Sequence, residues 1–150
     1  MNRIDFNKYN RILGISTGIL SFVVFALTVE PTASYWDCAE YISTSAKLQI
    51  GHPPGAPLFQ MLGAIFSIFA LELNQIAYAV NMMSVLSSAL TIVFLFWSIS
   101  LNGKEILDLT NSLKIDQAIK VFGSSFLGSI SFTFTDSFWF NAVEAEVYAM

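Results

Sequence analysis

The chain has 150 residues, of which 55% are hydrophobic, 15% aromatic and only 12% charged. A soluble domain usually carries about a quarter charged residues, because charges solvate its surface, so the composition predicts a membrane protein. The net charge of -4, with seven scattered Lys and Arg, argues against a nucleic-acid partner, which needs a basic stripe. One Cys and one His exclude an internal disulfide and a zinc site of the usual Cys/His kind built from this chain alone.

Uncharged blocks predict where the chain crosses the membrane. A span needs roughly 20 apolar residues, and three blocks approach this length, at about 11–29, 77–101 and, marginally, 118–135. A fourth block begins with the turn-forming sequence GHPPGAP at 51–57, which leaves only 58–71 for a short interfacial helix. The sequence therefore predicts an all-α integral membrane protein with about three transmembrane helices and additional juxtamembrane helices on its outer face.

The basic residues before the first block have a second interpretation. Arg3, Lys8 and Arg11, followed by an apolar run and by small residues at 32–34, also fit a cleaved signal peptide. The apolar run is longer than the roughly 7 to 15 residues usual in signal peptides, so an uncleaved anchor is the preferred interpretation.

The distribution of basic residues predicts the orientation. The N-terminal segment up to and including Arg11 and the segment 102–120 together hold all Lys and Arg except Lys47, and the positive-inside rule places both in the cytoplasm. The outer loop 30–76 and the outer segment 136–150 then lie on the opposite side, and in each the acidic residues outnumber the basic ones by three. A four-span arrangement, with 58–71 also crossing, would move 136–150 to the cytoplasm and remains an alternative.

The outer loop contains a predicted amphipathic helix at 35–49, in addition to the short helix at 58–71. Its periodicity assigns one face to Tyr35, Cys38, Ala39, Ile42 and Ala46 and the other to Asp37, Glu40, Tyr41, Thr44 and Lys47. Ser34 and Asp37 have the spacing of a capping box at the helix N-terminus. The two carboxylates of the first turn are therefore either a cap with ordinary solvation or a catalytic carboxylate with a helper.

The outer segment 136–150 combines acidic and aromatic residues. An interfacial belt is the default interpretation for its aromatic residues, Phe138, Trp139, Phe140 and Tyr148. Carboxylates at a membrane edge are costly unless they bind something. Asp136, Glu144 and Glu146 are therefore candidate binding residues.

Three ordered motifs carry a resemblance that covers nearly the whole chain. They are YWDCAEY at 35–41, KLQIGHPPGAPL at 47–58 and FWFNAVEAEVYA at 138–149. Together they resemble the N-terminal region of a large bacterial membrane-protein family, long labelled only as a domain of unknown function and related to an animal transmembrane protein O-mannosyltransferase. The family looks like a member of the GT-C superfamily of polyprenyl-phosphate-sugar-dependent glycosyltransferases. The resemblance implies the N-terminal part of a GT-C-type multi-span helical bundle, with its site on the periplasmic face of a bacterial inner membrane.

The resemblance also implies roles for individual residues. Asp37 would be the general base that takes a proton from the acceptor hydroxyl, and Glu40 would be a helper or an acceptor-positioning group. His52, with Lys47 as a second candidate, would lie close to the lipid phosphate. Glu144 and Glu146 would line the opposite wall and bind donor or acceptor, and Asp136 is grouped with them as substrate-binding. Some relatives use a divalent metal, but the sequence assigns none here.

The implied reaction moves a sugar, such as mannose, from a polyprenyl-phosphate donor to an outer-face acceptor, such as Ser or Thr of a protein or a glycan. The alternative function is a non-catalytic transport or lipid-handling module whose outer acids bind cations or lipid headgroups. The sequence ends at Met150, directly after the third motif, whereas the resemblance implies many more spans. We therefore expect an N-terminal fragment that is inactive alone.

Overall fold

The computed structural model describes residues 3–34, 37–53 and 55–147. These residues form, in chain order, β1 (Ile4–Asp5), α1 (Phe6–Thr28), α2 (Cys38–Lys47), α3 (Pro57–Ser67), a 3-10 turn (Leu73–Gln75), α4 (Ile76–Ile106), β2 (Ser112–Leu113), α5 (Ile115–Thr133) and α6 (Asp136–Val143). The two strands have two residues each. The prediction of an all-α, membrane-compatible fold is confirmed.

Two helical stretches in the described part of the chain are long and apolar enough to cross a membrane. They are α1, with 23 residues, and the 34-residue stretch Leu73–Ile106, which joins the 3-10 turn to α4. Their positions correspond to the predicted spans 11–29 and 77–101. The third predicted span, 118–135, lies largely in α5, which starts earlier and includes Asp116 and Lys120. α5 is not among the two apolar stretches, so its crossing stays a prediction.

The chain divides into two compact units, and the long helices α1 and α4 contribute residues to both. The first unit contains Met1–Ser21 and Ala89–Thr135, and the second contains Phe22–Ser88 and Asp136–Met150. The first unit is built around Phe6, Phe96 and Leu113, with residues of α5 packed against them. β1 and β2 pair antiparallel, with Ile4 opposite Leu113, and this pairing attaches the start of α1 to the segment before α5.

Glycines allow α1 and α4 to approach closely within the first unit. A Cβ atom at Gly18 would overlap Val93 Cγ2, and one at Gly14 would overlap Trp97 Nε1. Neither glycine can be replaced by a larger residue unless the facing side chain moves. Close approach through small residues is the usual packing mode of membrane helices.

The second unit has two apolar clusters. In the first, Cys38 and Ile42 of α2 pack with Phe59 of α3 and with residues of α4. In the second, Phe25 packs with Val85 and the end of α6, and the Trp139 ring meets it edge-on at 5.5 Å. Trp139 is therefore part of a packed cluster as well as a candidate for the aromatic belt.

The structure corrects two details predicted for α2. The helix begins at Cys38, and Asp37 directly before it makes no side-chain capping bond, so the predicted capping box with Ser34 is wrong. Tyr35 lies outside the described residues. The buried face is also rotated, because Thr44 and Ser45 are buried whereas Ala39 and Ala46 are exposed.

The reason for this rotation is the close packing of α2 on α3. A Cβ atom at Gly63 of α3 would lie only 2.6 Å from Ser45 Oγ, so the glycine provides the space that Ser45 occupies. α3 is also shorter than the predicted 58–71, since it ends at Ser67. Eleven helical residues span about 16 Å, roughly half the thickness of a membrane core.

Candidate active site

The end of α2 brings the following loop back along the helix. Leu48 adopts the left-handed conformation, with φ 50° and ψ 46°, and its N–H caps the helix on the carbonyl of Ser45. Gln49 N–H donates to the Thr44 carbonyl at 2.8 Å. The chain therefore reverses here, and His52 in the loop returns to the side of Glu40, near the start of α2.

Glu40 and His52 are joined by two contacts. Glu40 Oε1 accepts a hydrogen bond from the backbone N–H of His52 at 2.6 Å, and Glu40 Oε2 lies 2.9 Å from His52 Nδ1. The other ring nitrogen, Nε2, lies 3.9 Å from Asp37 Oδ2. The imidazole thus lies between two carboxylates, one of which holds it closely. All three side chains are partly exposed, at 53% for Asp37, 45% for His52 and 37% for Glu40.

These contacts shift two pKa values in opposite directions. The hydrogen bond from the His52 backbone N–H, followed by the one from its side chain, lowers the pKa of Glu40. The hydrogen bond to Glu40 and the negative charge of that carboxylate raise the pKa of His52, and Asp37 adds a smaller effect in the same direction. Both shifts favour the ion pair of a carboxylate and an imidazolium.

The second acidic motif approaches the same region. Burial, followed by the charges of Asp37 and Glu144, raises the pKa of Glu146, so Glu146 lies within electrostatic range of Asp37. Ser34, which does not cap α2, instead donates its hydroxyl to Glu144 Oε2 at 2.6 Å. The segment before α2 and the turn after α6 are therefore connected, and the first and third motifs meet.

Two predicted site residues lie elsewhere. Lys47 is in the last turn of α2, which places it about 15 Å along the helix from Asp37 at 1.5 Å per residue. Asp136 is exposed in the first turn of α6, at the end of that helix opposite to Glu144. The structure groups Asp37, Glu40, His52, Glu144 and Glu146 in one region and does not bring Lys47 or Asp136 into it.

The cluster also has the donor set for a cation. One ligand atom each from Asp37, Glu40 and His52 can be chosen so that all lie within 4.8 Å of one another. Two carboxylates and an imidazole suit several divalent metals. In the structure both imidazole nitrogens already face carboxylate oxygens, so the contacts within the cluster do not require a metal, and we assign none.

Asn81 is a structural residue that sequence reasoning missed. It is fully buried in α4, and its side-chain amide donates to the backbone carbonyls of Glu30, at 2.7 Å, and Thr32, at 3.1 Å. Its Oδ1 lies 4.0 Å from Cys38 Sγ. Asn81 thus secures the chain between α1 and α2. The available signal was an Asn in an otherwise apolar helix, where an amide is costly unless it is bonded.

The fold and site together define an all-α, membrane-compatible protein with a carboxylate and histidine cluster at the start of a short helix. The sequence model of one family, described as the Protein O-mannosyl-transferase TMEM260 N-terminal domain, matches residues 37–150. The chain belongs to this family.

Two curated relatives agree with this membership. The Protein O-mannosyl-transferase tmem260 of Dictyostelium discoideum is 25% identical over 129 residues, which cover 85% of this chain and 14% of the relative. The Protein O-mannosyl-transferase TMEM260 of Mus musculus is 33% identical over 76 residues, or 51% of this chain and 11% of the relative. The chain therefore spans only a small part of the length of either relative. No solved structure matches the chain.

Proposed function

We propose that the chain is the N-terminal part of a glycosyltransferase of the GT-C type, which transfers a sugar from a polyprenyl-phosphate donor to a hydroxyl acceptor. Mannose and protein Ser or Thr are the proposed sugar and acceptor, because both relatives are named protein O-mannosyl-transferases. The observation that carries the proposal is the placement of Asp37. Its carboxylate is half exposed, makes no capping bond and lies next to an imidazole.

In the proposed reaction Asp37 is the general base. The acceptor hydroxyl oxygen attacks the anomeric carbon of the donor sugar, the bond from that carbon to the phosphate oxygen breaks, and polyprenyl phosphate leaves with the bonding electrons. The hydroxyl proton passes to the Asp37 carboxylate. An exposed carboxylate at the mouth of a cluster can reach an incoming hydroxyl, which is the first requirement for a general base.

His52 is proposed to stabilise the leaving phosphate. The raised pKa of its imidazole favours the cationic form, and a cation beside the phosphate offsets the charge that develops as the bond breaks. Glu144 and Glu146 are proposed to bind the donor sugar or the acceptor from the second acidic motif. Lys47 and Asp136 are left out of this assignment because of their distance along α2 and α6.

The proposed topology places the N-terminus in the cytoplasm and the cluster on the outer side of the membrane. The support is the positive-inside rule, together with the two apolar helical stretches; if both cross the membrane, the segment 29–72 between them lies on one side. α5 is the proposed third crossing. A bacterial inner membrane remains a prediction from the sequence resemblance.

The test uses the full-length protein in membranes, with a polyprenyl-phosphate mannose donor and a Ser/Thr acceptor protein. Asp37→Asn is expected to lower sugar transfer by about 10²- to 10⁴-fold, the usual contribution of a positioned general base. The matched control is Asp108→Asn, an exposed site in the first unit with a left-handed backbone (φ 46°), which Asn adopts readily. Transfer by Asp37→Asn equal to that of Asp108→Asn, at equal amounts in the membrane, would reject Asp37 as the base.

A further inference from the structure

Glu40 commits both of its carboxylate oxygens to one residue of the loop after α2. Oε1 accepts the backbone N–H of His52 at 2.6 Å and Oε2 meets ring Nδ1 at 2.9 Å. A group that receives a proton from an acceptor or holds an acceptor hydroxyl needs an oxygen directed towards that acceptor. The contacts of Glu40 are directed to the protein itself, which indicates a different role.

The two contacts together fix the orientation of the imidazole. The backbone contact fixes the position of the His52 main chain beside Glu40, and the ring contact fixes the rotation of the side chain. With Nδ1 on the Glu40 side, Nε2 points to the Asp37 side, 3.9 Å from Oδ2. A histidine whose one ring nitrogen is held by a carboxylate presents the other nitrogen in a defined direction, as in many catalytic and ligand sites.

The loop passes close to the Glu40 carboxylate at residue 51, where a glycine leaves room for it. A Cβ atom at Gly51 would lie 3.1 Å from Glu40 Oε1 and 2.9 Å from Gln60 Nε2. Either contact would push the carboxylate or the amide away from its present position. The sequence Gly-His at 51–52 therefore serves the contact with Glu40 directly.

We propose that Glu40 is a positioning residue, which clamps His52 onto α2 and fixes its imidazole with Nε2 on the Asp37 side, the orientation in which His52 acts on the donor phosphate. This inference rests on the proposed function for the identity of the ligand. It departs from the sequence-based expectation, in which Glu40 helps the general base or positions the acceptor. In this assignment Glu40 touches neither donor nor acceptor and acts only through His52.

Several groups face His52 and define how it titrates. The charged groups are Glu40 of α2 and Asp37 directly before it, and the ring centroid of Tyr41 lies 6.4 Å from that of the imidazole. Glu146, from the turn after α6, acts on Asp37. Because the pKa of His52 is raised mainly by Glu40, the imidazolium is stabilised at low pH and loses its proton only as the pH rises through the raised value.

The experiment measures His52 in the full-length protein without any sugar transfer. Diethylpyrocarbonate carbethoxylates an imidazole only in its neutral form. Mass spectrometry of the peptide containing His52 therefore gives the midpoint pH of His52 modification across the range in which histidine titrates. Glu40→Gln keeps an oxygen that can accept the backbone N–H but removes the charge at Nδ1. The midpoint is expected to fall and the modification at neutral pH to become faster. An unchanged midpoint overturns the proposal.

Two controls separate positioning from general damage. Glu72→Gln makes the same change at an exposed acid beside the 3-10 turn and should leave the midpoint unchanged. Unaltered protection of the buried Cys38 thiol in Glu40→Gln shows that α2 remains packed. If the Cys38 thiol loses this protection in Glu40→Gln, the test uses Glu40→Asp instead. Asp keeps the charge but is too short to make both contacts, so Glu40→Asp should also lower the midpoint.

A kinetic measurement links the clamp to the reaction. In Glu40→Gln the alkaline limb of the pH profile of kcat/KM for sugar transfer should shift to lower pH, together with the carbethoxylation midpoint. A limb that stays in place while the midpoint moves rejects a positioning role in transfer. Conversely, if the wild-type protein transfers no sugar but Glu40→Gln still lowers the carbethoxylation midpoint, the proposed function is rejected and the contact of Glu40 with His52 is supported.

Discussion

Replacing Asn81 by Leu should loosen the attachment of α2 without changing any charge. Leu has a similar size but cannot donate, so the carbonyls of Glu30 and Thr32 lose the hydrogen bonds that they receive at 2.7 and 3.1 Å. Both carbonyls lie in the segment between α1 and α2, which leads directly to Asp37. Loss of these bonds therefore affects the segment that positions the proposed base.

The magnitude follows from the two bonds. A hydrogen bond contributes about 1 kcal/mol net in a soluble protein, and leaving a buried acceptor without a partner adds a further cost. In membrane proteins the average contribution of a side-chain hydrogen bond is about 0.6 kcal/mol. Two bonds therefore favour the closed segment by roughly 1 to 2 kcal/mol, which corresponds to a rise of about 5- to 30-fold in the population of the open form.

The buried thiol of Cys38 reports this opening. It is fully buried and lies 4.0 Å from Asn81 Oδ1, so a maleimide reaches it only when the segment or α2 opens. When opening and closing are fast relative to labelling, the rate of labelling is proportional to the open population. Site-resolved labelling of the full-length protein should therefore be about 5- to 30-fold faster in Asn81→Leu than in the wild type.

The matched control is Asn102→Leu in the same helix. Asn102 is exposed, and its amide donates to the Ser98 carbonyl one turn earlier in the same helix. The labelling rate of Cys38 should be unchanged in this variant. Equal rates in Asn81→Leu and Asn102→Leu would show that the buried amide does not secure the segment, and the reasoning above would be refuted.

Two further predictions concern the same unit. Burial and then the charge of Asp37 raise the pKa of Glu146, so ionising Glu146 costs folding free energy at pH values above its ordinary pKa, and this cost is absent below it. Glu146→Gln should therefore raise the thermal unfolding midpoint at neutral pH but not in acid. No difference from the wild type at either pH would contradict this. Gly63→Ala places a Cβ atom 2.6 Å from Ser45 Oγ and should destabilise the packing of α2 on α3 by about 1 to 3 kcal/mol, measured as faster labelling of Cys38. Adding Ser45→Gly to this variant should slow the labelling again; an unchanged rate would show that the clash lies elsewhere.

The long helices were predictable because their signal is composition over many residues. The predicted spans 11–29 and 77–101 correspond to α1 and α4, whose apolar runs exceed the length of a membrane crossing. The short helix α2 was predicted in position but not in orientation. Which of its faces is buried depends on the shape of α3, where Gly63 admits Ser45, and periodicity within one helix carries no information about a partner helix.

The sequence motifs singled out candidate residues that the structure brings together, but they did not predict the contacts between them. The motifs singled out Asp37, Glu40 and His52, and the structure brings the three side chains together. The contact of Glu40 with His52 depends on the chain reversal at Leu48, a residue that carries no turn signal. Ser34 illustrates the same limit, since its spacing fits a capping box but its hydroxyl donates to Glu144, which is 110 positions further along the chain.

The electrostatics of the cluster restrict the conditions under which an anionic donor can bind. Asp37 and Glu40 face the one imidazole, and Glu146 acts on Asp37 from the second acidic motif, so carboxylates outnumber the cation in this region and disfavour a phosphate. Two features reduce this repulsion, since Glu40 holds His52 in its cationic form and burial makes Glu146 easier to protonate. Both effects weaken as the pH rises, so donor binding should weaken on the alkaline side. The clamp on His52 therefore acts through the donor phosphate, both in binding and as its bond to the sugar breaks, whereas Asp37 acts on the acceptor hydroxyl.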